Sequence, residues 1–443
     1  MKRATALQAG GEHAAGRPSR MAERGRARGA PIWLVPLVVL IGISLALSLA
    51  VFTLSGGKEI ADDVVRLAGF AREPFVLWGN YKAAGLSDRW GSFPPLLPLV
   101  FGSLVYPWLR VAGDFWGFRL GILSWSVVAL FALYLVLKRE REVSLERTRA
   151  VLLIFVLLPS VLGAIAFIPQ EEVYVSLFCI GLYYAAKTGR RGLLFFLLVL
   201  AVLAGKYFLL VLAVPLAFDS RAPVRNLLRW GATCLALLGA YILYHRELFG
   251  LTPIASYVLD PGSSISLWGL LWNMGYMPPE GTIRILSLIL VAAGVFFFSA
   301  AGRRKGIGLQ FSMAGTLYIT LLCLSITVPA YVLWVVPLTL LAVAVMRERR
   351  HVVWTVVGLF LWGAGEWGAN LFRGVRLALD TTRPEGKTAV AKAAERFLGA
   401  QFPYHRFHVA CIALVVAAGL LLLCVLWIAG KTACSLERAR ASR

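Results

Sequence analysis

Charge is what this chain has least of. Only 15% of its 443 residues are charged, and acids are the scarcer sign, with 23 Asp and Glu against 45 Lys and Arg. Together with 59% hydrophobic residues and a mean hydropathy of +0.75, this excludes a soluble globular domain, whose core could not take up so much apolar surface. Cysteine pairing is also missing. The six cysteines are scattered, with no C-x-x-C pair and no histidine at ligand spacing, so a disulfide framework or a zinc site is not supported and small packing residues remain the better reading. Nor is there a basic module for nucleic acid. The net charge of +22 is divided among short connectors instead of being gathered on one folded unit.

What is present is a series of apolar runs, at 32–54, 118–137, 150–168, 173–186, 193–218, 228–244, 283–301, 309–328, 331–346, 352–371 and 409–428. A hydrocarbon core needs about 20 helical residues. The expected fold is therefore an all-α polytopic membrane protein with about twelve crossing helices, forming one transmembrane domain over 32–430. The first 31 residues, rich in Gly, Ala and Arg, read as a disordered basic cytoplasmic terminus, and 431–443 as a basic cytoplasmic tail. A cleaved signal peptide competes for the first run, because seven Lys or Arg precede it. The run exceeds the roughly 7–15 apolar residues of a signal sequence, which favours a retained anchor.

The connectors orient the chain. Lys138-Arg139-Glu140-Arg141, Lys187 with Arg190 and Arg191, Arg221 with Arg225 and Arg229, Arg303-Arg304-Lys305, Arg347 with Arg349 and Arg350, and the terminal tail are all basic. The positive-inside rule puts them in the cytoplasm. With the N-terminus, this set holds 28 of the 45 bases and eight of the 23 acids, so the basic balance is a topology signal. The run at 193–218 has basic connectors on both sides and must then cross an even number of times. Its centre, Ala204-Gly205-Lys206, reads as a polar break between two short helices that holds Lys206 toward the outer side. By the same parity, 94–112 reads as a helix lying on the outer surface. Both termini fall inside, and the outer segments are 55–117, 245–282 and 372–408. Attraction of the basic loops to anionic membrane lipids follows.

Candidate chemistry lies on the outer side. Asp62 and Asp63 follow the first span, and Phe93-Pro94-Pro95-Leu96 precedes the next helix. Gln170-Glu171-Glu172 forms a short turn, where carboxylates are costly unless solvated or paired. Lys206 interrupts an apolar run at an insertion cost of about 2.5–3.5 kcal/mol, unless it snorkels to water. Pro329-Ala330-Tyr331 leads to Trp334, and Arg373, Arg376 and Arg406 are juxtamembrane. Ser263 to Gly269 is an aromatic stretch suited to an interface. Glu366 lies inside an apolar run, while His245, His351 and His408 read as interfacial.

Taken together, the acid after span one, the aromatic-Pro-Pro-Leu string, the Gln-acid turn, the Gly205-Lys206-Tyr207 break and the Pro-x-Tyr-x-x-Trp turn resemble the polytopic GT-C glycosyltransferases. The likeness is closest to the polyprenyl-phosphate-mannose-dependent mannosyltransferases and runs from roughly Lys58 to Pro337. Two departures stand out: Gln170-Glu171-Glu172 where a Gln-x-Asp turn is common, and Pro329-Ala330-Tyr331 in place of Pro-Gln-Tyr.

The resemblance implies inverting transfer of a hexose, with mannose favoured, from a polyprenyl-phosphate donor to a hydroxyl of a glycan, lipid or protein acceptor. Asp63 is the expected general base and Asp62 its alternate. The bland reading of this pair is acids favouring a helix N-terminus. Lys206 is the expected cation for the departing phosphate, with Arg373, Arg376 and Arg406 as further phosphate contacts or mere headgroup anchors. Gln170, Glu171, Glu172, Tyr331 and Trp334 are expected to hold the acceptor or sugar, although aromatic belts at membrane interfaces offer an equal account of the last two. No cofactor is certain, and a divalent cation on the carboxylates is one option. A multi-pass transporter or lipid flippase is the rival class, because a broken helix and buried charge also suit alternating access. A non-catalytic subunit of an envelope complex is the third.

Overall fold

The computed structural model describes residues 31–55, 96–140, 142–167, 172–204, 206–220, 222–249, 264–276, 279–324, 331–380 and 404–441. Every regular element among the described residues is helical. In chain order these are α1 (Leu34–Ser55), α2 (Leu96–Arg139), α3 (Leu145–Leu157), α4 (Pro159–Ala166), α5 (Glu172–Lys187) and α6 (Arg191–Leu203). A tight turn, Tyr207–Leu212, runs into α7 (Ala213–Phe218), followed by α8 (Pro223–Phe249), α9 (Leu267–Asn273) and α10 (Glu280–Phe296). The bundle closes with α11 (Leu309–Cys323), α12 (Val332–Val345), α13 (Arg349–Asp380) and α14 (Tyr404–Ala441).

The surface pattern is that of a membrane-embedded bundle. On α1, Val35, Val38, Ile41, Leu45, Leu49 and Phe52 are exposed, whereas Ser44 and Ser48 are buried. Large apolar residues thus point outward and small polar ones inward, as lipid favours and water does not. Leu228, Leu235 and Leu243 on α8 and Ile285, Leu288 and Ile289 on α10 are exposed in the same way.

The expected count of twelve crossings is not met. Among the described residues, five helices are long and apolar enough to span a membrane, or six if α3 and α4 are taken as one bent span. The reason is length. Helices α5, α6, α11 and α12 have 16, 13, 15 and 14 residues and rise only about 20–24 Å at 1.5 Å per residue, short of a hydrocarbon core of roughly 30 Å. In α11 and α12 the apolar character comes from burial against protein: every residue of α12 from Val332 to Ala344 is buried, as are nearly all of α11.

Two local breaks shape the bundle. Pro159 holds Leu158 in an extended conformation, since a residue before proline is pushed out of the helical region, and α3 meets α4 at 47°. In α2 the break is at Gly113, where a φ of 72° is open to glycine and strained for other residues. The chain reverses there. Trp125 donates to the Phe101 carbonyl at 3.2 Å and Trp108 to Ser124 Oγ at 2.9 Å, while a Cβ on Gly117 or Gly121 would meet the backbone of Leu109 or Val105 at 2.6–2.7 Å. The segment expected to lie on the outer surface therefore packs lengthwise along the second arm of α2, with Phe101, Val105 and Leu109 buried.

The expected interfacial stretch is also internal: Ser264, Ile265, Ser266 and Trp268 are buried, and Trp268 donates to the Cys323 carbonyl at 2.8 Å. His351 is likewise buried, 3.8 Å from Glu348. Cys179, Cys234, Cys323 and Cys411 are buried free thiols and Cys424 an exposed one.

The basic connectors do gather at one end. Arg139 donates to the Tyr184 hydroxyl, and Arg147 to the Met346 carbonyl. Lys187 lies 3.9 Å from Glu140, and Asp219, just past α7, feels the charges of Lys187 and Arg303. Both ends of the apolar run at 193–218 are thus at this basic end, as parity required. The run goes up as α6 and comes back as the tight turn and α7, without either half being long enough for a full crossing.

The longest helices seal the bundle through glycine. A Cβ on Gly365 would fall 2.8 Å from the Cys411 carbonyl and from Val415, and one on Gly358 would fall 2.8 Å from Leu422, so α13 and α14 approach closely. Gly365→Val is expected to cost about 1–3 kcal/mol by overpacking, measured as a lower thermal unfolding midpoint in detergent. Gly42→Ala, in open space on α1, is expected to leave the midpoint unchanged or raise it.

Candidate functional site

Three of the short helices stop at a common level roughly 20 Å from the basic end. Glu172 is the first residue of α5, Lys206 follows the end of α6, and Tyr331 and Trp334 open α12. Lys206 Nζ and Glu172 Oε1 are 2.5 Å apart, with side chains only 7% and 4% exposed. The other carboxylate oxygen accepts a hydrogen bond from Trp334 Nε1 at 2.5 Å. Around this pair, Tyr331 stacks on Trp334 with ring centroids 4.3 Å apart, Phe208 lies 6.5 Å from Trp334, and the Lys206 ammonium sits 5.9 Å from the indole centroid.

Local sequence accounts for the arrangement. The backbone turns out of α6 at Ala204, and Lys206 N–H bonds back to the Ala201 carbonyl at 2.9 Å, so the lysine is presented at the helix end instead of on a lipid-facing side. α5 and α12 are clamped together by Ser176 Oγ, which donates to the Leu333 carbonyl at 2.8 Å. Neither charge could be buried alone. Each ion costs several kcal/mol to desolvate, and the cost is recovered only by good geometry and further hydrogen bonds, which the indole N–H supplies.

The structure brings four expected site residues together: Glu172, Lys206, Tyr331 and Trp334. Lys206 is paired inside the protein and does not snorkel to water, and Trp334 and Tyr331, 1% and 9% exposed, are not members of an interfacial aromatic belt. Asp62, Asp63, Gln170 and Glu171 lie outside the described residues. So do the side chains of Arg373 and Arg376, which fall on the last turns of α13. Arg406 is exposed in the first turn of α14, at the same end of the bundle but apart from the cluster. Glu366 is buried, 2% exposed. Among the described residues no group of three or more His, Cys, Asp or Glu is close enough to hold a metal.

Arg119 was missed by sequence reasoning. It is 2% exposed on the second arm of α2, lies 3.7 Å from the Phe115 ring centroid, and donates to the Ala166 and Phe115 carbonyls at 2.9 and 3.1 Å. Its cation thus caps the C-terminal, negative end of α4. The available signal was a lone arginine at the edge of the apolar run at 118–137. Phe208 was missed as well, although it sits two residues from Lys206.

No protein-family model, curated protein or solved structure matches the chain.

Breaking the pair on one side strands a buried charge. Lys206→Met is expected to lower stability by about 3–5 kcal/mol, while the double variant Lys206→Met/Glu172→Gln recovers a large part of that loss, as measured by thermal unfolding. Equal losses in the two variants would mean that the charges do not compensate each other. Trp334→Phe, which removes the indole donor, is expected to cost about 1.5–3 kcal/mol.

Proposed function

We propose that this protein is an integral-membrane glycosyltransferase that moves a sugar from a polyprenyl-phosphate carrier to an acceptor hydroxyl, at the end of the bundle opposite the basic connectors. One observation carries the reading. Glu172, Lys206, Tyr331 and Trp334 belong to three separate motifs of the GT-C resemblance, lie up to 162 residues apart, and meet in one buried cluster.

In this reading the acceptor oxygen attacks the anomeric carbon, and the bond from that carbon to the phosphate oxygen breaks. The bonding pair leaves on the polyprenyl phosphate. A carboxylate takes the acceptor proton, a contribution of about 10²–10⁴-fold, and Asp63, or Asp62 beside it, is the residue proposed. Glu172 is unsuited to that task, because one of its oxygens holds Lys206 and the other Trp334. It acts as a positioning residue that keeps the ammonium in an apolar setting, where a fixed cation stabilises developing phosphate charge more than it could in water.

Arg406, with Arg373 and Arg376, would meet the donor phosphate as it enters. Gln170 and Glu171 would contact the acceptor. Tyr331, at 9% exposure the more accessible ring of the stacked pair, would be the one to reach a sugar or an isoprenoid, with Trp334 behind it as support. By the positive-inside rule this end faces away from the cytoplasm.

The test is purified protein in lipid nanodiscs with polyprenyl-phosphate sugars and a panel of acceptors, with and without chelator. Transfer is expected from the lipid donor. Asp63→Asn, or Asp62→Asn if that residue is the base, is expected to lower the rate at least a hundredfold with an unchanged unfolding midpoint. Transfer from a nucleotide sugar alone, or movement of the lipid donor across the bilayer without transfer, would overturn the assignment.

A further inference from the structure

α12 carries a proline inside its helix, Pro337. In an unbroken helix the N–H at position 337 would bond the Leu333 carbonyl, but proline has no N–H and its ring crowds that carbonyl. The Leu333 carbonyl thus loses its helical donor. Leu333 is buried, at 1% exposure, where an acceptor left without a donor is costly. Ser176 Oγ on α5 supplies one at 2.8 Å.

The serine gives up its usual bond to do so. Ser124, Ser126, Ser299 and Thr320 each donate to the carbonyl four residues back in their own helices, a common arrangement for a hydroxyl inside a helix. A serine has a single O–H to donate, and that of Ser176 crosses to α12 instead.

The place of this bond gives it a consequence for the site. Ser176 lies one turn after Glu172 on the same face of α5, and Leu333 adjoins Trp334, whose Nε1 donates to Glu172 Oε2. Two bonds one turn apart therefore join α5 to α12. Apolar packing alone could not set that alignment. Every residue of α12 from Val332 to Ala344 is buried, and a helix that is apolar all round has no polar face to fix its rotation. A slip of one residue moves such a helix by about 1.5 Å and turns it by about 100°, which carries the indole off the carboxylate. Thr339, which bonds the Tyr318 hydroxyl, and the Met346 carbonyl, which accepts from Arg147, tie α12 to α11 and α3 and not to α5.

We propose that Pro337 and Ser176 form a register lock for the site: the proline frees a carbonyl, the serine takes it, and the bond fixes the height and rotation at which Trp334 holds Glu172 against Lys206. Ser176 is then a positioning residue that acts through Trp334 and Glu172. The lock is a property of the cluster and holds whichever reaction the cluster serves, so a failure of the transferase reading would leave it standing.

The test uses full-length protein in detergent with isotope-labelled tryptophan indoles, and it reads two quantities. The unfolding midpoint reports whether the Leu333 carbonyl is satisfied. The Trp334 indole N–H resonance, identified by its loss in Trp334→Phe, reports the bond to Glu172, because a hydrogen bond to a carboxylate shifts the proton downfield. In Ser176→Ala the midpoint is expected to fall and the Trp334 proton to move upfield. In Ser176→Ala/Pro337→Ala, the N–H regained at position 337 serves Leu333, so the midpoint is expected to recover part of the loss while the Trp334 signal stays displaced. That split separates positioning from the mere satisfaction of an acceptor. An unmoved Trp334 signal in Ser176→Ala, or its return to the wild-type position in the double variant, would overturn the proposal. If Ser176→Ala does not fold, the double variant decides by the same signal.

Discussion

A lysine and a glutamate that could not be buried separately hold the centre of this structure. Because Lys206 and Glu172 must meet, α6 has to stop where α5 begins, and because Trp334 supplies the remaining hydrogen bond, α12 has to begin at the same height. Three helices of 13–16 residues thus share one polar level inside an otherwise apolar bundle. Longer helices would carry the charges past one another, and a straight α6 would present Lys206 on a helix flank. Arg119 caps the C-terminal end of α4, the last described helix before Glu172.

Much of this was legible before any coordinates. A lysine in the middle of an apolar run, flanked by basic connectors on both sides, has few physical solutions, and the break at Ala204 to Lys206 is the one the chain adopts. The gathering of basic connectors at one end was equally readable, because charge segregation is written in loop composition. Helix count was not. Hydropathy measures how much a segment avoids water, and burial in protein and burial in lipid produce the same value; α12 reads as a span and is a core helix.

The hairpin in α2 escaped for a different reason. Its reversal rests on one glycine dihedral at Gly113 and on close approach through Gly117 and Gly121, and a glycine in an apolar run is equally consistent with a straight helix. Arg119 was overlooked because two of its partners are the Ala166 and Phe115 carbonyls, and backbone acceptors leave no mark in the sequence. The four cluster residues were singled out by motif, but that the glutamate and the lysine bond each other could not be read from segments 34 residues apart.

The burial of α12 on all sides bears on how the protein is made. A segment of 14 residues, about two-thirds the thickness of a hydrocarbon core, gains little from lipid on its own. Its mismatch with the bilayer is relieved only once α5, α11 and α3 surround it. Membrane integration of this chain is then a matter of assembly order: the long outer helices partition first, and the short central helix docks among them as they close. A lesion that slows that closure would leave α12 stranded at the translocation channel, and the protein would fail in biogenesis while the finished fold remained sound.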